Sequence, residues 1–204
     1  MKDIDITEES LSLYIPNVYQ KNIFNIDYQK LKVYGIKVIS YDIDDTIGTM
    51  EKNWIRSATS SIFGMDEEEG LFKLLKSMGF IIVLMSNNID GGLVKNYHEK
   101  LHTDFFFANA GKPDTACFDT VMGKYDIEPR KMAHIGNSII DDVYGGNKAG
   151  VITCLVRRKG RIYKIKEGQE RQIRKMLKEE SLWRKHHKDV KDDQYYQLGD
   201  TQIF

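Results

Sequence analysis

Short apolar runs alternate with helical patterns along the middle of the chain. The helical patterns cover residues 66–78, 91–101, 114–125 and 142–148, and the apolar runs are 36–41, 80–85, 104–107, 131–135 and 151–156. Strands that alternate with helices are typical of a parallel sheet covered by helices on both faces. The sequence therefore predicts a three-layer α/β fold with a mainly parallel, five-stranded sheet.

Two carboxylates directly follow the first of these strands. Asp42 and Asp44 are two residues apart, so their side chains should project the same way if the strand geometry continues. Crowding two carboxylates is unfavourable unless a cation or a proton lies between them. One carboxylate can attack an electrophile while the other exchanges protons with the leaving group, or both can bind a hard cation such as Mg2+. A charged, solvated turn is the alternative without chemistry.

Other strand ends carry polar residues as well, namely Ser86, Asn87, Lys112, Asn137, Asp141 and Asp142. In parallel sheets, ligands bind outside the carboxyl ends of the strands, so the pattern predicts one shared site. Taken singly, each residue has a plainer interpretation: Ser86 as a strand cap, Lys112 as a solvated lysine, and the two aspartates as acids at a helix start. We interpret His134, inside a strand, as a core or edge residue rather than a catalyst, and Asn88 as a turn residue.

Composition limits the cellular setting and the partners. Apolar residues make up 41% of the chain, which is enough for a packed core, and the formal net charge is zero. Residues 157–204 carry 14 Lys/Arg against 8 Asp/Glu, a net of +6, which leaves −6 for residues 1–156. The basic tail can contact the acidic domain or an anionic partner. Nothing approaches ~18–20 consecutive apolar residues, and residues 1–15 are acidic, so we expect a cytoplasmic protein.

The chain divides into three predicted parts. Residues 1–35 form an N-terminal extension packed on the core, with a short helix from Asp27 to Gly35; residues 36–160 form the core; and 161–204 form a basic, helical tail. The helix from Gly168 onward is amphipathic. It can pack on the domain or lie on an anionic lipid surface. The cysteines, Cys117 and Cys154, lack metal-ligand spacing, and we expect Cys154 to be buried.

Four motifs occur in order: Asp42-x-Asp44-x-Thr46 after a strand, Ser86 at the end of a strand, Lys112, and Gly136-Asn137 with Asp141-Asp142. Together they resemble the haloacid dehalogenase (HAD) superfamily, on its phosphatase side, with a Rossmann-like fold. Segments 21–24, 86–88, 111–113 and 142–150 further resemble the subfamily IIIA phosphatases called YqeG-like, relatives of a phosphatidylglycerophosphate phosphatase.

The resemblance implies a role for each matched residue. Asp42 would be the nucleophile that forms an aspartyl-phosphate, and Asp44 the general acid and base. Ser86 and the backbone N–H of Asn87 would hold phosphoryl oxygens, and Lys112 would neutralise the growing negative charge. The implied phosphate-binding set is Thr46, Ser86, Asn87 and Lys112.

The implied cofactor is Mg2+, bound among Asp42, Asp44, Asn137, Asp141 and Asp142, with Asp44 contributing its backbone carbonyl. Asn137 stands where the family usually has an aspartate, so the site has one negative charge fewer. Mg2+ affinity should fall unless Asp141 or Asp142 supplies the missing carboxylate. A catalytically weak or silent phosphate-binding relative is therefore an open alternative.

The motif spacing also limits the substrate. About 40 residues separate Thr46 from Ser86, and 26 separate Ser86 from Lys112, and neither gap holds a cap domain. The resemblance implies a capless member, open to a bulky phosphorylated substrate such as a lipid head group, a phosphoprotein or a nucleic-acid end, with residues 48–65 as its rim. Oligomerisation, through the tail or otherwise, would suit a small substrate instead. A lipid-phosphate phosphatase at the membrane surface is a further alternative, and neutral net charge gives no reason to expect nucleic acid as a partner.

Overall fold

The computed structural model describes residues 12–47 and 66–156 of the 204-residue chain. The strands are β1 (Val18–Gln20), β2 (Val38–Tyr41), β3 (Ile81–Met85), β4 (Phe105–Phe107), β5 (Met132–Gly136) and β6 (Ile152–Val156). The α-helices are α1 (Tyr28–Val33), α2 (Asp66–Ser77), α3 (Gly91–Leu101), α4 (Ala116–Tyr125) and α5 (Gly145–Lys148). A π-helix spans Ile139–Tyr144, and 3-10 turns span Ser12–Tyr14, Ile23–Asn25 and Pro129–Lys131. The predicted rim (48–65) and basic tail (161–204) lie outside the described residues.

The strands form one six-stranded sheet in the order β1-β6-β5-β2-β3-β4, and every neighbouring pair is parallel. This arrangement confirms the predicted α/β, Rossmann-like fold. The predicted count of five strands is wrong by one, because β1 lies in the segment that we had placed before the sheet. In β1, Val18 pairs with Cys154 and Gln20 with Val156 of β6.

Local sequence signals explain most helix boundaries. The Asp27 side chain accepts a hydrogen bond from the Lys30 N–H and begins α1, and Gly35, with φ of +84°, lies just after its end. Asp90 begins α3 in the same way. The predicted helix over 142–148 is wrong in form, because a π-helix begins three residues earlier and only Gly145–Lys148 is α-helical.

The core lies on both faces of the sheet, because alternate strand residues point to opposite faces. One apolar cluster includes Ile39, Tyr41 and Ile82 with Phe72 and Leu75 of α2. The other joins alternate residues of β2, β3 and β5 to α4 through Val38, Val83, Met132, Phe118 and Val121. Helices therefore cover both faces and leave the ends of the strands accessible.

Both cysteines are buried and free of disulfide bonds. Burial raises the pKa of the Cys154 thiol to about 12, so it stays protonated, in line with its expected inert role. In residues 12–47 and 66–156, no helix has both the length and the apolar composition needed to cross a membrane.

Candidate active site

A polar cavity of about 410 Å3 opens where the carboxyl ends of β2, β3 and β5 meet the loop after β4. The structure brings to it seven of the predicted site residues, Asp42, Asp44, Asn87, Lys112, Asn137, Asp141 and Asp142. Two others, Thr46 and Ser86, are buried beneath it. Sequence reasoning missed four lining residues, Asp45, Asn88, Ile89 and Ser138.

Lys112 lies at the centre of the buried charges. Its Nζ donates to Asp42 Oδ1 at 2.9 Å and to Asp142 Oδ1 at 2.6 Å. Burial alone would lower the pKa of Lys112, but the attraction of Asp142 and Asp42 outweighs it, and the pKa is raised. One ammonium group therefore compensates the two carboxylates that face it.

The two carboxylates beside Lys112 differ in proton affinity. The pKa of Asp42 is raised to about 7, mainly by burial; Lys112 opposes this rise, and the charges of Asp142 and Asp44 add to it. Burial acts on Asp142 too, but Lys112 and His134 overcome it and hold the pKa of that carboxyl well below its usual range. The fixed negative charge thus lies on Asp142, and a cation near Asp42 would favour its ionised form.

Asp44 lies half-buried at the mouth of the site. The Asn88 Nδ2 donates to Asp44 Oδ2 at 3.4 Å. Burial raises the pKa of Asp44, and hydrogen bonds from Asn88 and Ser86 offset part of this effect. A carboxyl group whose pKa is raised towards neutral pH is suited to giving and taking protons. The next residue, Asp45, has φ of +62°, a left-handed conformation that turns the chain after Asp44.

The segment after β3 fixes the backbone of the Lys112 loop. Asn87 Oδ1 accepts from the Lys112 N–H at 2.9 Å, and Asn87 Nδ2 donates to the Lys112 carbonyl at 2.8 Å. Ser86 Oγ accepts from the Asn88 N–H at 3.0 Å. The Asn87 side chain, for which the sequence suggested no role, therefore positions the loop that carries the lysine.

Asn137 faces the backbone of Asp44. Its Nδ2 donates to the Asp44 carbonyl, the oxygen that the family resemblance implies for Mg2+. Within the described ranges, no three His, Cys, Asp or Glu side chains are grouped so as to hold a metal ion. Among the groups that line or adjoin the cavity, the Asp42 carboxylate, the Asp44 carbonyl and the amide oxygen of Asn137 would hold a Mg2+ ion, with Asp141 on the same cavity wall. These oxygens are of the type that Mg2+ prefers, provided that the Asn137 amide turns over.

The π-helix separates the roles of the two adjacent aspartates. Asp142 accepts from Lys112, from His134 Nε2 at 3.0 Å and from the Ser138 N–H at 2.9 Å, so its oxygens are engaged below the cavity. Asp141 also lines the cavity, and its Oδ2 accepts from Ser138 Oγ at 3.2 Å. This division was not predictable from the residue pattern, because a π-helical register leaves no mark in it.

Comparison with known proteins agrees with this architecture. A family model described as HAD-hydrolase-like matches residues 109–172. The probable phosphatase YqeG of Bacillus subtilis (strain 168) is 31% identical over 144 residues, which are 70% of this chain and 77% of the relative. The chain therefore belongs to the haloacid dehalogenase superfamily of phosphatases, and within it to the family that includes YqeG.

Two solved structures with low sequence identity to this chain align with it over most of their own length. The HAD phosphatase from Thermococcus onnurineus has a TM-score of 0.48 and 16% identity, over 70% of this chain and 98% of that chain. The predicted phosphoglycolate phosphatase from Haemophilus somnus 129pt has a TM-score of 0.48 and 14% identity, over 66% and 91% respectively.

Proposed function

We propose that the protein is a Mg2+-dependent phosphomonoester hydrolase that works through an aspartyl-phosphate on Asp42. The observation that carries the proposal is the buried contact of 2.9 Å between Lys112 Nζ and Asp42 Oδ1 at the floor of the cavity. A fixed cation beside a carboxylate places a phosphoryl group next to its nucleophile and neutralises the charge on its oxygens.

The reaction would proceed in two displacements at phosphorus. In the first, an Asp42 oxygen bonds to phosphorus, the bond to the leaving oxygen breaks, and Asp44 gives that oxygen a proton. In the second, Asp44 takes a proton from water, the water oxygen bonds to phosphorus, and the bond to Asp42 breaks. Inorganic phosphate leaves, and both aspartates return to their starting states.

The supporting residues act through charge and position. Lys112 would neutralise the oxygens of the transferred group, with the backbone N–H of Asn87 as a further donor. The buried Ser86 hydroxyl would support Asp44 from beneath the cavity, and Thr46 would support the loop. The raised pKa of Asp44 supports its role as proton donor. When bound, Mg2+ would lie among Asp42, the Asp44 carbonyl and Asn137, near Asp141, and would supply further positive charge.

The proposal also includes the kind of substrate. Ile89 lines the cavity and leaves 85% of its surface exposed, so an apolar group extends the polar site at its rim. This position favours a phosphomonoester with an apolar portion, including the lipid phosphate that the sequence left open. The expected cytoplasmic location fits such a substrate at the inner membrane surface. Phosphate release from lipid vesicles against a water-soluble ester would distinguish the two substrate types.

The test of the proposal is phosphate release from a generic aryl phosphate, with Mg2+ or with EDTA. We expect metal-dependent release by the parent chain, its loss in Asp42→Asn, and its retention in Asp119→Asn, which makes the same chemical change on the exposed surface of α4. Equal rates in the parent and Asp42→Asn would contradict the proposal. Release that persists in EDTA would contradict its metal dependence.

A further inference from the structure

A line of buried polar groups extends from the cavity floor into the sheet. Lys112 Nζ contacts Asp142 Oδ1 at 2.6 Å, His134 Nε2 lies 3.0 Å from the same oxygen, and Ser40 Oγ lies 2.8 Å from His134 Nδ1. The residues are 5%, 2%, 1% and 0% exposed in that order. We call these four residues the Lys112–Ser40 chain.

Packing alone does not explain the Lys112–Ser40 chain. His134 and Ser40 are directly paired residues of β5 and β2, and their neighbours along both strands are apolar. Buried polar groups cost free energy unless they are hydrogen bonded, and apolar residues at both positions would avoid that cost. Apart from a longer contact of 3.4 Å between Ser40 Oγ and the Ala133 carbonyl, the polar pair is directed at the carboxylate of Asp142.

Hydrogen bonding assigns the protonation of the imidazole. An ionised carboxylate only accepts hydrogen bonds, so His134 Nε2 must carry the proton that it shares with Asp142. Nδ1 of the neutral ring is then an acceptor, and the Ser40 hydroxyl donates to it. Burial and the nearby Lys112 lower the pKa of His134, in accord with a neutral ring.

The surroundings leave Asp142 little freedom. A side chain at Gly136 would collide with it, since an added Cβ there would lie 2.6 Å from the Asp142 Cβ. The ring of Phe118 contacts His134 edge-on, with centroids 5.0 Å apart. Glycine on one side and an oriented imidazole on the other thus hold the carboxylate where Lys112 meets it.

We propose that His134, oriented by Ser40, is a positioning residue for Lys112: it fixes the Asp142 carboxylate, which in turn holds the ammonium beside Asp42. This inference rests on the proposed role of Lys112 in binding the phosphoryl group. Without the Nε2–H donor, the Asp142 carboxylate keeps its bonds to the Ser138 N–H and to Lys112 but loses the one that orients Oδ1 from inside the sheet, so the ammonium is held less firmly beside Asp42. The loss should fall on kcat more than on KM, because the charge that Lys112 neutralises grows in the transition state.

Three variants test the inference on the full chain with an aryl phosphate and Mg2+. His134→Leu removes the donor, and we expect kcat to fall by roughly tenfold to a hundredfold, the usual effect of losing a group that orients a charged ligand. His134→Gln keeps an N–H that can reach Asp142 and should retain most of the parent kcat. Thr103→Val is the matched control, because it removes a buried hydroxyl that is also hydrogen bonded to a histidine, His98, away from the cavity. Unchanged kcat in His134→Leu, or an equal fall in Thr103→Val, would overturn the inference.

If His134→Leu does not fold, His134→Asn takes its place in the test. His134→Asn can reach Ser40 but not Asp142, so its kcat should fall while that of His134→Gln does not. Equal kcat in the two amide variants would overturn the inference.

Two further measurements separate this inference from the proposed function. Long-range 1H–15N correlation spectra of the parent should show His134 protonated on Nε2, and protonation on Nδ1 alone would overturn the inference whatever the activity. A parent chain that releases no phosphate would contradict the proposed function. Calorimetric binding of inorganic phosphate then replaces turnover: binding weakened in His134→Leu and kept in His134→Gln supports the positioning role, and equal binding overturns it.

Discussion

At the scale of single residues, the most unusual contact of the site is the one between Asn137 and the Asp44 carbonyl. The Asn137 amide satisfies by a hydrogen bond an oxygen that the family resemblance assigns to Mg2+. A carboxylate at the same place would repel that carbonyl oxygen unless a cation lay between them. The amide thus lets the loop after β2 keep its shape without a bound ion.

This contact predicts that Asn137→Asp binds Mg2+ more tightly than the parent. The added charge should raise the affinity by about tenfold or more, which corresponds to about 1.4 kcal/mol. Isothermal titration with Mg2+ measures the affinity, and thermal unfolding should show the variant less stable than the parent in EDTA and more strongly stabilised by Mg2+. The same Mg2+ affinity in both proteins would contradict this account of Asn137.

Lys112 is predicted to stabilise the fold as well as the reaction. Lys112→Met leaves Asp42 and Asp142 buried without their shared cation, and breaking a buried ion pair in this way costs about 3–5 kcal/mol. Urea unfolding measures the loss. Adding Asp142→Asn should recover part of it by removing one unpaired charge, whereas additive losses in the double variant would show that the two residues do not interact.

His134 predicts a specific dependence of stability on pH. Its pKa is lowered in the folded protein, so its contribution is fully present above the unfolded value of about 6.5 and is lost as the pH falls below that value. Relative to His134→Gln, the parent should lose up to about 1.4 kcal/mol of unfolding free energy per pH unit in that window. Asp42, whose pKa is raised, changes stability with pH in the opposite direction. Asp42 is present in both proteins, so its effect cancels in the comparison. Parallel stability curves would contradict a buried, neutral His134.

At the scale of elements, the segment around β1 contributes more than its length suggests. Asn147 Nδ2 donates to the carbonyls of Leu13 and Ile15, its Oδ1 accepts from Thr153 Oγ1, and Tyr14 stacks on Tyr144 with centroids 4.7 Å apart. The N-terminal residues are therefore joined to the π-helix that carries Asp141 and Asp142.

Asn147→Ala should loosen this junction. The carbonyls of Leu13 and Ile15 lose this donor, and the Thr153 hydroxyl keeps only its longer contacts with Asn17, so we expect a loss of about 1–3 kcal/mol in unfolding free energy. Hydrogen exchange should quicken at Val18–Gln20 and not at β3. Asn96→Ala, on the exposed surface of α3, is the control and should change neither quantity. Unaltered exchange at β1 in Asn147→Ala would contradict the proposed junction.

The sequence predicted the elements that are marked by a run or a regular spacing of apolar residues. It missed the elements that depend on pairing or hydrogen bonds elsewhere in the fold. Five strands were visible because each is an apolar run after a polar break. β1 is as short as β4 but lacks the apolar run that Phe105–Phe107 gives to β4, and it is defined by its pairing with β6. The sequence predicts a helix over 142–148 and not the π-helix that begins at Ile139, because the bond from the Val143 N–H to the Ser138 carbonyl leaves no trace in the spacing of apolar residues.

The candidate site likewise has one part that the sequence predicts and another that it does not. Motif order located the strand ends, and parallel strands bring those ends to one edge whatever the side-chain details. Two contacts of Lys112 could not be predicted, because they depend on distances between separate loops. These are the bonds of its backbone to the Asn87 side chain and of its Nζ to Asp142. His134 was interpreted as a core residue, which its burial supports, but its contact with Asp142 depends on a register that no local pattern contains.

At the scale of the whole molecule, one sheet edge collects the groups that the chemistry needs. β2 lies between β3 and β5, so Asp42, Ser86 and Asn137 follow three adjacent parallel strands, and the loop after β4 adds Lys112. The core on both sheet faces holds these strand ends in place. A phosphoryl group entering the cavity would meet a carboxylate, a lysine and a proton-exchanging carboxyl in fixed positions.

The most direct test of this account is to look for the phosphoryl group on Asp42. The full chain is mixed with an aryl phosphate and Mg2+, quenched in acid within one turnover, digested, and analysed by mass spectrometry. The account predicts a phosphorylated peptide with the modification on Asp42, formed and lost at rates that accommodate turnover, and none in Asp42→Asn. Phosphate release by the parent without a phosphorylated Asp42, or with the phosphoryl group on another residue, would contradict it.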